Sequence, residues 1–224
     1  MNSKLGFVFI FLSLTSTLFS QRFTFAPEVG IAYSQIDGDW LQGFDKTGSL
    51  FGLGTNYFIN DKFSLAFNAK YMNLGSGNGG KKQNKPSGAI QFISSFSSAS
   101  IGAGFMVVPF NSKLRIGGGI NYNRVVDFSY NTLVQLTTQS RIIIDKDKLR
   151  TNYLAYNLSA HINIFQNVYA NISFYKSINN LLEDAESSDI KSVVPYYLTY
   201  SLFYEFDPNP KRKRAKGKKK RGIN

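Results

Sequence analysis

Eight stretches of this chain alternate large apolar residues with small or polar ones at a period of two, and that pattern limits the chain to strands with two unlike faces. The stretches are 23–34, 47–59, 63–74, 89–110, 114–126, 153–165, 168–178 and 196–206, separated by clusters of Asn, Asp, Gly, Ser and Pro. In the first, Phe23, Phe25, Val29, Ile31 and Tyr33 alternate with Thr24, Ala26, Glu28, Gly30, Ala32 and Ser34. The sixth sets Leu154, Tyr156, Leu158, Ala160 and Ile162 against Asn157, Ser159, His161 and Asn163, and the eighth sets Leu198, Tyr200, Leu202 and Tyr204 against Thr199, Ser201, Phe203 and Glu205.

The second face decides between a soluble barrel and a membrane one. A water-facing surface is rich in Lys, Glu and Asp. Across all eight stretches the charged residues are Glu28, Lys70, Arg115, Arg124, Lys176 and Glu205, and the second face is mostly Gly, Ser, Asn and Ala. Such a face suits a narrow, tightly packed lumen, with the apolar stripe turned outward to lipid. The pattern predicts an all-β fold, an eight-stranded antiparallel up-and-down transmembrane β-barrel. Glu28, Lys70, Arg115 and Glu205 are then lumen charges, and each carboxylate needs a cationic partner there, because unpaired buried charge is too costly to persist. Tyr57, Tyr71, Tyr122, Tyr153, Tyr196 and Tyr204 fit aromatic girdles at the two membrane interfaces.

Connection lengths agree. Asn60-Asp61, Asn111-Ser112-Lys113 and Gln166-Asn167 make short turns, whereas 35–46, 75–88, 127–152 and 179–195 make long loops. With an even strand number both termini lie on the short-turn, periplasmic side. At the N-terminus Lys4 precedes an apolar run from Leu5 to Leu12, broken by Ser13, Thr15, Ser16 and Thr17, which is the layout of a secretory signal peptide rather than of a spanning helix. The expected division is a signal peptide at 1–20, a barrel at 21–210 and a basic, disordered periplasmic tail at 211–224. The tail carries Lys211, Arg212, Lys213, Arg214, Lys216, Lys218, Lys219, Lys220 and Arg221, nine positive charges of a net +12. Beyond a final membrane strand its expected partners are anionic periplasmic or envelope components, not nucleic acid. The chain has no cysteine, which rules out disulfides and thiolate metal sites.

In the first hairpin Ser34-Gln35-Ile36-Asp37-Gly38-Asp39, followed by Gly43-Phe44, Lys46 and Gly48, resembles the first-loop pattern of PorT-like outer-membrane β-barrel proteins, and Phe58-Ile59-Asn60-Asp61-Lys62-Phe63-Ser64-Leu65 resembles the short turn after it. The resemblance covers about 50 residues. It departs at 89–108, which are Ser- and Gly-rich where that family has a more aliphatic strand with an internal proline. It implies an eight-stranded barrel of the bacterial outer membrane and, through some relatives, a link to protein secretion. No catalytic residue carries over.

Four constellations invite a chemical reading. Ser159 and His161 stand two apart on one strand face, a spacing similar to that of outer-membrane lipid A deacylases, but their parity turns them into the lumen, and no third residue nearby would orient the base. A hydrogen-bonded interior histidine is the simpler expectation. Gly75 to Lys82 approximates a phosphate-binding loop but ends in Lys rather than Ser or Thr, and Gln83, Asn84, Lys85 and Pro86 follow in place of a helix. Asp37 and Asp39 lack the distal Glu of a calcium loop, and Glu183, Asp184, Glu186 and Asp189 read as a solvated acidic loop. The expected function is a non-enzymatic barrel with a structural or accessory envelope role and no cofactor. A narrow porin or small-solute binder is the second reading and an outer-membrane lipid-modifying enzyme the third.

Overall fold

The computed structural model describes residues 23–37, 44, 46–77, 90–109, 113–135, 141–143, 149–182 and 193–206. They form nine strands: β1 (Phe23–Asp37), β2 (Lys46–Phe58), β3 (Phe63–Ser76), β4 (Ile90–Val107), β5 (Leu114–Gln135), β6 (Arg141–Ile143), β7 (Asn152–Phe165), β8 (Val168–Ser177) and β9 (Val194–Tyr204). Each long strand pairs antiparallel with its neighbours, β4 with β5, β5 with β7 and β9 back with β1, so eight strands close into a barrel. The three-residue β6 lies outside that ring, against the far end of β5. The expected signal peptide and basic tail fall outside the described residues.

The register fixes the shape of the barrel. Following paired residues once round, Phe25 leads through Thr55, Phe67, Ala103, Ile120, Tyr156, Lys176 and Tyr196 to Gln35, ten residues further along β1. With a rise of about 3.3 Å per residue and about 4.8 Å between strands, a stagger of ten over eight strands tilts the strands by about 40° and gives a backbone radius of about 8 Å. Side chains from all round a ring of that width meet at its axis.

Burial follows the sequence alternation. Phe25, Val29 and Ile31 are exposed on β1 and Thr24, Ala26 and Ala32 buried; on β9 Tyr200, Leu202 and Tyr204 are exposed and Thr199, Ser201 and Phe203 buried. Among the described residues twenty-seven large hydrophobic side chains are exposed. An exterior so continuously apolar is a lipid-facing surface, and the molecule is a transmembrane barrel of the outer-membrane type. Closure pairs every barrel strand on both sides, so no sheet edge faces the hydrocarbon. At the seam Phe25 and Phe206 exchange two backbone hydrogen bonds of 3.1 and 2.7 Å, fastening the aromatic end of the last strand to the first.

Two features of the long-loop side differ from the sequence expectation. Residues 127–135, read as loop, continue β5, which leaves β7 after the pair Arg124–Asn152 and runs on beside β4 and β6. Two bulges mark the departure, one skipping Val126 and the other Ser129. Each extra residue reverses the inside–outside parity, which hides a strand from a period-two reading. Tyr153, expected in an aromatic girdle, is 2 % exposed and points inward, because it lies on the opposite face of β7 from Leu154 and Tyr156.

Leu158 is 61 % exposed on the outer face of β7 and its neighbour Ser159 faces inward. Leu158→Arg is expected to cost about 2–4 kcal/mol in urea-driven unfolding from lipid vesicles, and Ser159→Thr distinctly less. Equal costs would mean that the two faces are misassigned.

Candidate functional site: a filled and charge-paired lumen

The inner face begins with a clamp near the short turns. Arg115 of β5 donates from both terminal nitrogens to the two carboxylate oxygens of Glu205, at 2.9 and 2.8 Å. Thr24 and Asn56 donate to Oε1 of Glu205 at 2.9 and 3.1 Å, so this buried carboxylate has four donors. Arg115 also donates to the Tyr169 hydroxyl at 2.7 Å, and its guanidinium lies 4.5 Å from the centre of that ring. Tyr169 stacks on Phe203, whose ring meets the edge of His161. The planar fork of Arg suits this two-oxygen, ring-stacked position better than a Lys could.

At mid-height Lys70 of β3 reaches Glu28 of β1, with Nζ 3.0 Å from Oε2 and 3.2 Å from Oε1. These strands are not neighbours. Between them on β2 stands Gly52, paired with Glu28 on one side and Lys70 on the other. A Cβ at Gly52 would lie 3.1 Å from Lys70 Cγ and 3.5 Å from Glu28 Oε2, so the missing side chain is what lets the ion pair cross the strand. Asn171 at 2.8 Å and Ser201 also donate to Glu28 Oε1, and Lys70 donates to the Tyr175 hydroxyl at 3.1 Å. The same device recurs on β4. Asn121 donates to Asn68 at 3.1 Å across Gly102, where a Cβ would fall 2.2 Å from the Asn121 amide nitrogen. Asn157 in turn donates to Asn121, extending a belt of amides round the wall.

A cavity of about 60 Å³ remains beside Glu28, Lys70, Asn157, His161 and Phe203, space for about two waters. The Ser159 hydroxyl accepts from Ser173 at 2.9 Å and donates to Asn157 at 3.4 Å. His161 differs from its expected hydrogen-bonded state, since its buried Nδ1 has no hydrogen-bond partner among the described residues. The serine is thus bound to other groups, and the pair lacks the serine–base contact that hydrolytic chemistry starts from.

The loop-side mouth is closed by apolar packing. Tyr175 and Tyr197 stack at 4.6 Å above the Glu28–Lys70 level, and Tyr197 donates to Asn123 at 3.5 Å. Beyond them one buried cluster joins Ile36, Leu74, Phe96 and Phe128 from the strands to Leu149, Leu181, Leu182 and Val193 from the connections around β7, β8 and β9. Backbone bonds hold those connections across the mouth, Arg150 N to Leu181 O at 2.7 Å and Leu181 N to Val193 O at 2.9 Å. The Asn180 side chain accepts from the backbone of Leu182 and Val193 at 3.0 and 2.8 Å.

The structure therefore brings Glu28 to Lys70 and Arg115 to Glu205, while the nine basic residues from Lys211 to Arg221 lie outside the described residues, as do Asp39 and the acidic stretch 183–189. Asp37 sits at the outer rim, 3.4 Å from Lys176. Sequence reasoning missed the amide belt of Asn68, Asn121 and Asn157, the bridging glycines and the apolar plug. Their only trace in sequence is inward parity, which gives no register between strands.

Lys70→Met should leave the Glu28 carboxylate without its cation and destabilise the barrel by about 3–5 kcal/mol. The double variant Glu28→Gln with Lys70→Met should recover most of that loss in the same unfolding assay. A double variant no more stable than Lys70→Met alone would show that the two side chains are not coupled.

No family model matches the chain, and no curated protein does. The PorT-like resemblance therefore stands on the first hairpin and the short turn after it alone. Among solved structures, the chain is similar to Ail, the attachment invasion locus protein of Yersinia pestis, at 14 % identity and a TM-score of 0.46 over 83 % of this chain and 99 % of that one. It is also similar to Neisserial surface protein A, at 16 % identity and a TM-score of 0.43 over 82 % and 97 %, and to a major outer membrane protein from Thermus thermophilus, at 11 % identity and a TM-score of 0.46 over 82 % and 99 %. At such identities and scores no residue of this chain takes a role from them, and the architecture rests on its own strand register.

Proposed function

We propose that this chain is a non-enzymatic barrel of the bacterial outer membrane with a structural or accessory role in the envelope. The observation that carries this reading is that side chains fill the lumen at three successive levels: the Arg115–Glu205 clamp, the Glu28–Lys70 belt and the apolar plug around Phe96 and Leu181. A wall so occupied is a scaffold, and function then belongs to what it holds outside, as is usual for sites grafted on rigid folds. The basic run 211–221 extends the proposal to the periplasm, where clustered Lys and Arg favour an anionic lipid or acidic envelope component. The finer reading, an accessory barrel of a protein-secretion assembly, draws its support from the loop and turn resemblance at residues 34–65. Deletion of the gene tests it, since an accessory barrel predicts loss of secreted cargo and unaltered secretion contradicts that part alone.

Conductance across a planar bilayer separates the scaffold from the narrow-porin reading. The filled lumen predicts no resolvable current steps from the folded protein, whereas sustained ohmic steps would establish a pore. For the tail, truncation after Pro210 should leave heat-modifiable migration on SDS gels intact while weakening a salt-sensitive association with anionic vesicles, because such attraction is screened over about 10 Å at 0.1 M salt. Loss of folding on truncation, or an association indifferent to salt, would remove the tail from this account.

A further inference from the structure

The lipid-facing wall is not uniform. On β3 and β4 the outward side chains alternate in size and are out of step across the pair, with Ala69 opposite Ile101 and Tyr71 opposite Ala99. The two alanines lower the surface along a diagonal, leaving a groove of about 660 Å³ walled by Phe51 and Leu53 on one side and Ile101 and Tyr122 on the other. That volume lies in the range of clefts that take small molecules, roughly 300–1,000 Å³.

One end of the groove is charged. Arg124 lines it and stands beside Ala99 on the paired strand. It lies on the outer face with Tyr122 and is exposed. Leu114 begins β5 at the short-turn end, and ten residues of strand tilted by about 40° raise Arg124 by about 25 Å, the height of the apolar band. The guanidinium is thus at the loop-side interface, at the level of lipid headgroups. Among the described residues no carboxylate forms an ion pair with it, and Asp127, just past the first bulge, does not reach it. Another cation on the loop side shows the contrast: Lys176 is neutralised by Asp37 at 3.4 Å.

We propose that this groove is a specific site for the phosphate-bearing glycolipid of the outer leaflet, with an acyl chain lying over Ala69 and Ala99 and a headgroup phosphate on Arg124. The source follows from geometry. β1 begins and β9 ends on the short-turn side, which is periplasmic in outer-membrane barrels, so Arg124 faces the outer leaflet, where phosphorylated, multiply acylated disaccharides rather than phosphodiester lipids supply the phosphate. Arg binds phosphate through two parallel N–H donors, and Tyr71 and Tyr122 beside it have the amphipathic rings that settle at headgroup level.

The inference rests on the outer-membrane reading, and the experiment separates the two. The full mature barrel is refolded into phosphatidylcholine nanodiscs doped either with an acylated disaccharide bisphosphate or with phosphatidylglycerol, and lipid retained on the protein is counted by native mass spectrometry. The variants are Arg124→Gln, Ala99→Leu, which fills the groove floor, and Ala160→Leu on the outer face of β7 as a control away from the site. The bisphosphate lipid should be retained by the native chain and by Ala160→Leu. Arg124→Gln should lower retention about tenfold, the loss of one charge-assisted contact, and Ala99→Leu should lower it with the headgroup contact intact. Equal retention by all four proteins, or retention of phosphatidylglycerol as strong as that of the bisphosphate, would overturn the site while heat-modifiable folding left the barrel standing. Failure of the native chain to insert at all would overturn the membrane reading instead.

Discussion

Closure with eight strands and a stagger of ten residues is the constraint on which the rest of this structure depends. It gives a backbone radius of about 8 Å, too narrow for a water column once side chains are in place, while lipid outside offers no hydrogen bonds. The charged groups of the inner wall must then find their partners on the inner wall. The Glu28–Lys70 and Arg115–Glu205 pairs, with their Asn, Ser, Thr and Tyr donors, are that requirement met at two heights. In a low-dielectric interior such networks are rigid when complete and costly when broken, so they hold the barrel in one register.

Glycine in the wall follows from the same geometry. An ion pair linking strands two apart has to pass over the strand between, and Gly52 and Gly102 clear that path for a salt bridge in one case and an amide pair in the other. Near the mouth the solution changes from polar to apolar. Loop segments bring Leu149, Leu181, Leu182 and Val193 over Phe96 and Phe128, so the outer end is sealed as a small hydrophobic core inside a membrane protein. The surfaces left to engage partners are then outside the wall: the β4–β5–β6 extension and the lipid-facing groove.

Much of this was legible in the sequence, because period-two alternation fixes which face each residue takes once strands are assumed, and the blandness of the second face named the solvent outside. The lumen positions of Glu28, Lys70, Arg115 and Glu205 follow from parity alone. What parity cannot carry is register, which aligns Glu28 with Gly52 and Gly52 with Lys70 across separate hairpins. The amide belt and the role of the glycines therefore had no sequence signature. The extension of β5 is hidden by its two bulges, and Tyr153 has the strand-end position of an interfacial aromatic although the outward parity of Leu154 and Tyr156 assigns it inward. The plug residues Leu149, Leu181, Leu182 and Val193 lie in connections, where no periodicity reports burial.

The central claim is that the inner wall is packed against itself and closed to solvent, and the absence of cysteine from the chain gives a direct measurement of it. Single variants Ser100→Cys and Ser173→Cys place thiols on the buried inner face, and Thr151→Cys places one on the exposed loop side. Treated with a water-soluble maleimide after refolding into vesicles, the Thr151→Cys protein should label promptly, and the two lumen variants should stay unlabelled until the barrel is unfolded. Labelling of Ser100→Cys or Ser173→Cys in the folded barrel at the rate of Thr151→Cys would show a solvent-filled lumen and contradict the account.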